Sequence, residues 1–260
     1  MHIGKPIQVG GKSLGRGRYP TVCAPLVGHT REQVLLEVEM VSAKQPDLLE
    51  WRVDYFDDIG DLGAVLSLAR EIRHAACGIP VLFTRRSTKE GGESIPLTEE
   101  QVVTMIIAVC TEKVVELLDF EMDSDPAHID RIRRVAKANG IGLVLSFHNF
   151  EATPPLEVLS QRFAMAQRLG ADVAKIAVMP KRPEDLISLM SATLESSQQL
   201  DIPLVSMSMG AGGSPTRLLG WIFGSAMTFV VGSAASAPGQ VPIEDMDTVL
   251  KILQKSMEDT

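Results

Sequence analysis

Eight short apolar runs alternate with eight helix-like stretches along the chain, and this alternation constrains the fold more than any other feature. The runs are Thr21–Val27, Leu48–Val53, Pro80–Thr84, Val115–Phe120, Gly142–Phe147, Asp172–Val178, Pro203–Met209 and Met227–Val231. Each is rich in Val, Ile, Leu or Phe and is bounded by Gly, Pro, Asp or Asn, the pattern of buried parallel strands. In the helix-like stretches, Thr30–Ala43 carries Val34, Leu35, Val38 and Val41 on one face, and Asp61–Ala76 carries Leu62, Val65, Leu66, Ala69 and Ile72. Thr98-Glu99-Glu100-Gln101 is a capping box that opens the third helix. Later helices are expected to start near Pro126, Pro155, Pro183, Pro215 and Ile243. Strand starts lie about 24 to 35 residues apart, a spacing suited to right-handed crossovers.

Eight such units in about 250 residues predict an α/β protein, a (β/α)8 TIM barrel over residues 21–260. A doubly wound open sheet is the rival, but it usually has fewer strands and a Gly-rich first turn. Gly28-His29-Thr30 after the first strand contains no GxGxxG. Within residues 1–20, Ile7-Gln8-Val9-Gly10-Gly11-Lys12 reads as a β-hairpin closing the barrel bottom. No linker, repeat or low-complexity tract interrupts the pattern, so 1–260 is expected to be one domain.

The 260 residues are 45% apolar and 22% charged, which excludes wholesale disorder. With 25 Lys plus Arg against 33 Asp plus Glu the net charge is −8, so nucleic acid is not an expected partner. The longest apolar stretches, such as Ile141–Phe147 and Val102–Cys110, fall short of the roughly 20 residues that span a bilayer. Residues 1–20 hold five glycines and four basic residues but no apolar core, so no signal peptide is expected. Cys23, Cys77 and Cys110 form no CxxC pair and each lies in an apolar segment, which predicts reduced core thiols in a cytoplasmic protein.

Charges stand where a barrel interior should be apolar, towards the C-terminal strand ends that carry chemistry in this fold. Glu50 and Arg52 share a face of strand two, with Leu49, Trp51 and Val53 on the other. A structural ion pair is the plain alternative, though costly to bury. Of the adjacent Arg85 and Arg86 one must face inward, and by analogy with strand two Arg86 is chosen. Gly91-Gly92 lets the following loop fold back over the mouth and carry Glu90 inward, with a solvated loop an equal alternative for Lys89 and Glu90. Asp119 and Glu121 share a face at the end of strand four, a weak signal alone. His148 stands at the end of a strongly apolar strand, where a satisfied core histidine is an equal alternative.

Lys175, in Val173-Ala174-Lys175-Ile176-Ala177-Val178, is the least ordinary residue, because lysine is almost never buried without a reason. A snorkelling or ion-paired lysine is the plain alternative, for which a short strand in a closed barrel gives little room. Desolvation and nearby guanidiniums of Arg52 and Arg86 are expected to favour its neutral amine, a nucleophile that forms Schiff bases with carbonyls. After strand seven, Gly210-Ala211-Gly212-Gly213 before a helix is a candidate phosphate cradle or simply a flexible connection. Gly232–Gln240 reads as a lid with Gly232 and Gly239 as hinges. No HExxH, HxH, Cys/His cluster, Walker loop or dinucleotide fingerprint is present, so neither a metal nor a cofactor is expected.

The chain resembles the type I 3-dehydroquinate dehydratases of the shikimate pathway. The matching segments are Glu50-Trp51-Arg52-Val53-Asp54, Phe83-Thr84 through Arg86, Lys89-Glu90-Gly91-Gly92, Ser146-Phe147-His148, Lys175-Ile176-Ala177-Val178-Met179-Pro180, Met207-Ser208-Met209, Phe223-Gly224-Ser225-Ala226 and Ser236-Ala237-Pro238-Gly239-Gln240. The resemblance implies a cofactor-free, usually homodimeric barrel that dehydrates 3-dehydroquinate to 3-dehydroshikimate, on the route to chorismate and aromatic amino acids. By position, Lys175 matches the Schiff-base lysine, His148 the general acid/base and Glu90 the carboxylate that orients the histidine. Glu50, Arg52, Arg86, Arg217, Ser236 and Gln240 match contacts to a small carboxylate substrate, with Met207 packing on its ring. Asn149 follows the histidine where many relatives have Asp, and Pro25 stands where some have a substrate-contacting Ser. Two other readings stay open: a class I aldolase, whose phosphate would sit at Gly210–Gly213, and a barrel that binds a metabolite without chemistry.

Overall fold

The computed structural model describes residues 5–9, 12–14 and 19–258. Strands β1 (Ile7–Val9) and β2 (Lys12–Leu14) pair antiparallel, with Ile7 opposite Leu14, as the hairpin expectation required. Its turn at 10–11 lies outside the described residues. The barrel strands follow in chain order as β3 (Thr21–Leu26), β4 (Leu48–Arg52), β5 (Val81–Thr84), β6 (Leu117–Glu121), β7 (Gly142–Asn149), β8 (Val173–Val178), β9 (Leu204–Ser208) and β10 (Met227–Phe229). All pair in parallel in the order β10-β3-β4-β5-β6-β7-β8-β9. A parallel bridge between Leu204 and Ser225, with the Ala226 N–H donating to the Leu204 carbonyl at 2.7 Å, draws the two ends of the sheet together.

Each strand end lies within two residues of its sequence expectation. Pro80 and Pro203 fall just outside β5 and β9 because neither has an N–H to donate. Their carbonyls still accept from Leu49 and Ala174 of the neighbouring strands, both within 3.1 Å.

Helices α1 (Arg31–Ser42), α2 (Leu62–Ala75), α3 (Glu99–Glu112), α4 (Pro126–Asn139), α5 (Leu156–Arg168), α6 (Pro183–Gln199), α7 (Ser214–Leu219) and α8 (Ile243–Glu258) separate or follow the strands. The capping box at Thr98 and Gln101 forms, and Thr30 with Gln33 makes a second one at α1. Cys23 and Cys110 are buried, but Cys77 is exposed, which corrects the expectation of three core thiols. It follows the C-cap of α2 with a left-handed backbone, φ 50°, so the chain turns away from the core there.

Strand alternation sorts the core into two parts. Outward residues such as Leu49, Trp51, Phe83, Leu118, Leu145 and Ile176 pack with the helices. Inward residues Leu48, Leu82, Leu117, Val144 and Val173 fill the lower barrel, where Ile7 and Val9 of the hairpin plug the bottom. Two residues further along the same strands, the inward positions are Glu50, Thr84, Asp119, Ser146 and Lys175, all buried. Each fully buried large aliphatic side chain contributes about 1.5–3 kcal/mol. The apolar lower barrel and outer layer thus support a charged upper layer that is itself costly to desolvate.

Candidate active site

One pocket at the C-terminal strand ends is lined by Lys175, His148, Glu90, Glu50, Arg52 and Arg86, and also by Met207, Arg217, Ser236 and Gln240. The structure thus brings together the ten residues matched to catalytic or substrate-contacting positions in the sequence. Lys175 comes from the middle of β8 and is only 4% exposed. Its Nζ donates to Asp119 Oδ2 at 3.0 Å, lies 3.8 Å from Glu50 Oε1, and sits 4.3 Å from the centre of the Phe229 ring. Carboxylates, not the guanidiniums of Arg52 and Arg86, are therefore the charges nearest the amine. The inward alternation of β4 and β6 aims Glu50 and Asp119 at the barrel axis, where Asp119 accepts from Lys175 through one oxygen and from Arg86 through the other, while Arg52 pairs with Asp54.

Arg86 Nη2 donates to Asp119 at 2.6 Å and Nη1 to Ser146 Oγ at 2.8 Å and Glu121 at 3.3 Å. Burial disfavours its charge, but Asp119, Glu121 and Glu90 outweigh that and hold it protonated. Burial likewise opposes the Asp119 charge, yet Arg86 and Lys175 keep this carboxyl well below the usual carboxylate range. Arg85 turns outward and pairs with Glu99 at 2.6 Å, so Arg86 is the inward member as expected.

Glu90 reaches the pocket because its loop doubles back. Gly91 has φ 83° and lies against the Phe150 ring, and a Cβ on Gly92 would stand 2.0 Å from the Arg86 carbonyl oxygen. Glu90 Oε2 is 2.8 Å from His148 Nδ1 and accepts the His148 backbone N–H at 3.0 Å. Burial, then the cations Arg86 and Lys175, push the imidazole well below its ordinary range. Burial pushes the Glu90 carboxyl up to about 8, against the pull of Arg86.

Arg217 is 2% exposed, and among the described residues no carboxylate pairs with it. Its guanidinium meets only Met207 Sδ at 3.3 Å and the Pro238 carbonyl at 3.2 Å, and Nε has no partner. Burial alone lowers it to about 10.

Residues 232–240 lie across the mouth. Arg52 Nη1 donates to the Ser236 carbonyl at 3.3 Å, and Gln240 bonds Ser236 at both its N–H and its hydroxyl. Both presumed hinge glycines serve close packing in this arrangement. A Cβ on Gly232 would meet Val41 at 2.7 Å, and one on Gly239, at φ 77°, would meet the Gly210 carbonyl oxygen at 2.1 Å. The Gly210 N–H is bonded to Pro238 and the Gly213 N–H to Gly210, so this loop seats the covering segment and offers few free amides to a phosphate. Among the described residues no group of three His, Cys, Asp or Glu is placed to hold a metal ion.

The family model for type I 3-dehydroquinase matches residues 22–257. The chain belongs to the type I 3-dehydroquinase family. It is 55% identical over its whole length to a 3-dehydroquinate dehydratase of Albidiferax ferrireducens, covering 98% of that protein. The crystal structure of 3-dehydroquinate dehydratase from Geobacillus kaustophilus superposes with a TM-score of 0.94 at 48% identity, covering 97% of this chain and 98% of that one. A type I 3-dehydroquinate dehydratase from Clostridium difficile, solved with covalently modified comenic acid, gives a TM-score of 0.91 at 35% identity over 97% of this chain and 99% of that one. Membership makes this barrel an enzyme, which removes the reading of a barrel that binds without chemistry.

Within this type I 3-dehydroquinase, Asn149 makes no hydrogen bond to the His148 ring. Its Oδ1 accepts from the Glu151 and Ala152 N–H groups, each at 2.9 Å, and holds the turn after β7. Pro25 lies in β3 opposite Glu50, where it offers no hydroxyl. The sequence reading missed Asp119 as the partner of the amine, although its strand-end position was a weak signal. Phe229 was missed outright, because an aromatic in an apolar strand reads as core.

The Glu90–His148 pair titrates as one unit. In the proton-bound form Glu90 holds the shared proton and Nε2 carries hydrogen. When the unit loses one proton, from Nε2, the shared proton passes from Glu90 to Nδ1, which donates it to the Glu90 carboxylate, and Nε2 offers a lone pair. Activity that needs this base is therefore expected to rise with pH through the unit's apparent pKa and then level off. In Glu90→Gln the acid limb is expected to move to lower pH, since only the depressed imidazole is left to titrate. The plateau should drop about tenfold for a lost orienting hydrogen bond. A pH series of kcat/KM for both proteins checks this, and an unmoved limb would contradict it.

Proposed function

We propose that this chain dehydrates 3-dehydroquinate to 3-dehydroshikimate through an imine on Lys175, with His148 as general acid/base. The observation that carries the reading is the convergence on one pocket of the buried Lys175 amine, the His148 imidazole and the carboxylate-free guanidinium of Arg217. Arg217 supplies an anchor for a substrate carboxylate, whose charge would replace the partner this guanidinium lacks. Attack of Nζ on the ring ketone, with loss of water, gives an iminium that acidifies the adjacent carbon. His148 Nε2 takes a proton from that carbon and leaves an enamine. The enamine expels the β-hydroxyl, which His148 protonates as it departs, and hydrolysis of the remaining iminium frees product and amine. Glu50, Arg86 and Gln240 are assigned to the ring hydroxyls. Ser236 and its neighbours exclude bulk water while they cover the mouth.

The test is turnover of 3-dehydroquinate by the purified protein, with the enone product followed directly. No product would refute the proposal. Arg217→Ala is expected to raise KM about 10- to 100-fold, the range for losing a hydrogen bond to a charged group. A wild-type KM would exclude Arg217 as the anchor.

A further inference from the structure

We propose that Asp54 is a positioning residue that couples the segment covering the mouth to the turn bearing Glu90. The inference rests on the dehydration reading and adds a residue that does not line the pocket. The Asp54 side chain is fully buried and uses both oxygens twice. Oδ1 accepts from Arg52 Nε at 2.9 Å and from the Arg86 N–H at 3.3 Å. Oδ2 accepts from Arg52 Nη2 at 2.7 Å and from the Glu93 N–H at 3.2 Å. A carboxylate has about four acceptor sites, so this one has none left over.

Two consequences follow from the geometry. The guanidinium is planar, so fixing Nε and Nη2 fixes the direction of Nη1, the atom that reaches the Ser236 carbonyl. Arg52 is further held flat by the Tyr55 ring, 4.9 Å from its centre. On the other side, the Arg86 and Glu93 N–H groups flank the Thr88–Glu90 turn, so the same carboxylate staples the base of the loop that carries Glu90. Asp54 acts through Arg52 on the covering segment and through the backbone on the Glu90–His148 pair.

The experiment compares wild type, Asp54→Ala, Asp54→Asn and Arg52→Ala by kinetics on 3-dehydroquinate, by pH profile and by amide exchange of residues 232–240. Asp54→Ala is expected to raise KM about 10- to 100-fold, to speed exchange in 232–240 and to shift the acid limb. Asp54→Asn keeps an acceptor for the backbone but loses the charge, so it should restore the limb and not the KM. Arg52→Ala leaves the backbone staple intact and should speed exchange, moving the limb only slightly upward through the loss of one cation near His148. Adding Asp54→Asn to Arg52→Ala should then cost little more in KM, because both act through one guanidinium. Variants that fold but keep wild-type KM, exchange and limb would show Asp54 to be structural only. If Asp54→Ala fails to fold, Asp54→Asn and Arg52→Ala still decide. If the wild type does not turn over 3-dehydroquinate, the dehydration reading fails, while exchange in 232–240 continues to test the coupling.

Discussion

Lys175→Ala is expected to abolish turnover, a larger loss than any other single substitution in the pocket. Without the amine there is no iminium to accept electrons, so the carbon acid beside the ketone keeps its ordinary weak acidity. Removing a general acid/base typically costs about 10²–10⁴ in rate, and loss of the electron sink should cost at least as much. The fold should survive, because Asp119 keeps Arg86 at 2.6 Å and Ser146 at 2.7 Å and Glu50 keeps the Thr84 hydroxyl at 2.9 Å. Breaking a buried pair can nevertheless cost about 3–5 kcal/mol in stability. Lys175→Met preserves more of the volume and is the control for that effect. A thermal melt beside the turnover assay separates lost chemistry from lost fold. Residual turnover within tenfold of wild type in either variant would contradict the assignment.

His148→Ala is expected to lower turnover by about 10²–10⁴, with the amine and its carboxylate neighbours untouched. An imine should still form on this variant, but proton removal and hydroxyl departure would both stall. Intact-mass spectrometry of His148→Ala mixed with 3-dehydroquinate should therefore show a covalent species accumulating over time. Near-normal turnover would make His148 the satisfied core histidine that its apolar strand also allowed.

The two substitutions differ because the residues were legible in the sequence for different reasons. Lys175, Glu50 and Arg52 interrupt the inward face of apolar strands, and period-2 alternation exposes such an interruption without any structure. The same alternation set the strand limits to within two residues. Asp54 and Asp119 carry equally pointed geometry, but Asp54 was hidden and Asp119 gave only a weak signal, since aspartate at a strand end is also the ordinary signal that a strand is over. Glu90 was legible through Gly91-Gly92, whose close approaches to Phe150 and Arg86 need the missing Cβ atoms. Met207, Arg217, Ser236 and Gln240 came from family resemblance, because their roles depend on tertiary placement and carry no periodic signature. The charge environment of Lys175 was read incompletely for a related reason, with the carboxylates Asp119 and Glu50 left out. Sequence separation does not show which side chains share a partner, and Asp119 stands between Arg86 and the amine, accepting from both.

Borohydride reduction in the presence of 3-dehydroquinate tests the imine at Lys175 most directly. Reduction converts the C=N bond into a stable secondary amine, so the adduct can be located by peptide mass mapping. The expected result is one adduct per chain on the peptide containing Lys175, absent from Lys175→Ala and retained in His148→Ala. An adduct on Lys181 instead, or active enzyme that reduction neither labels nor inactivates, would contradict the Schiff-base mechanism.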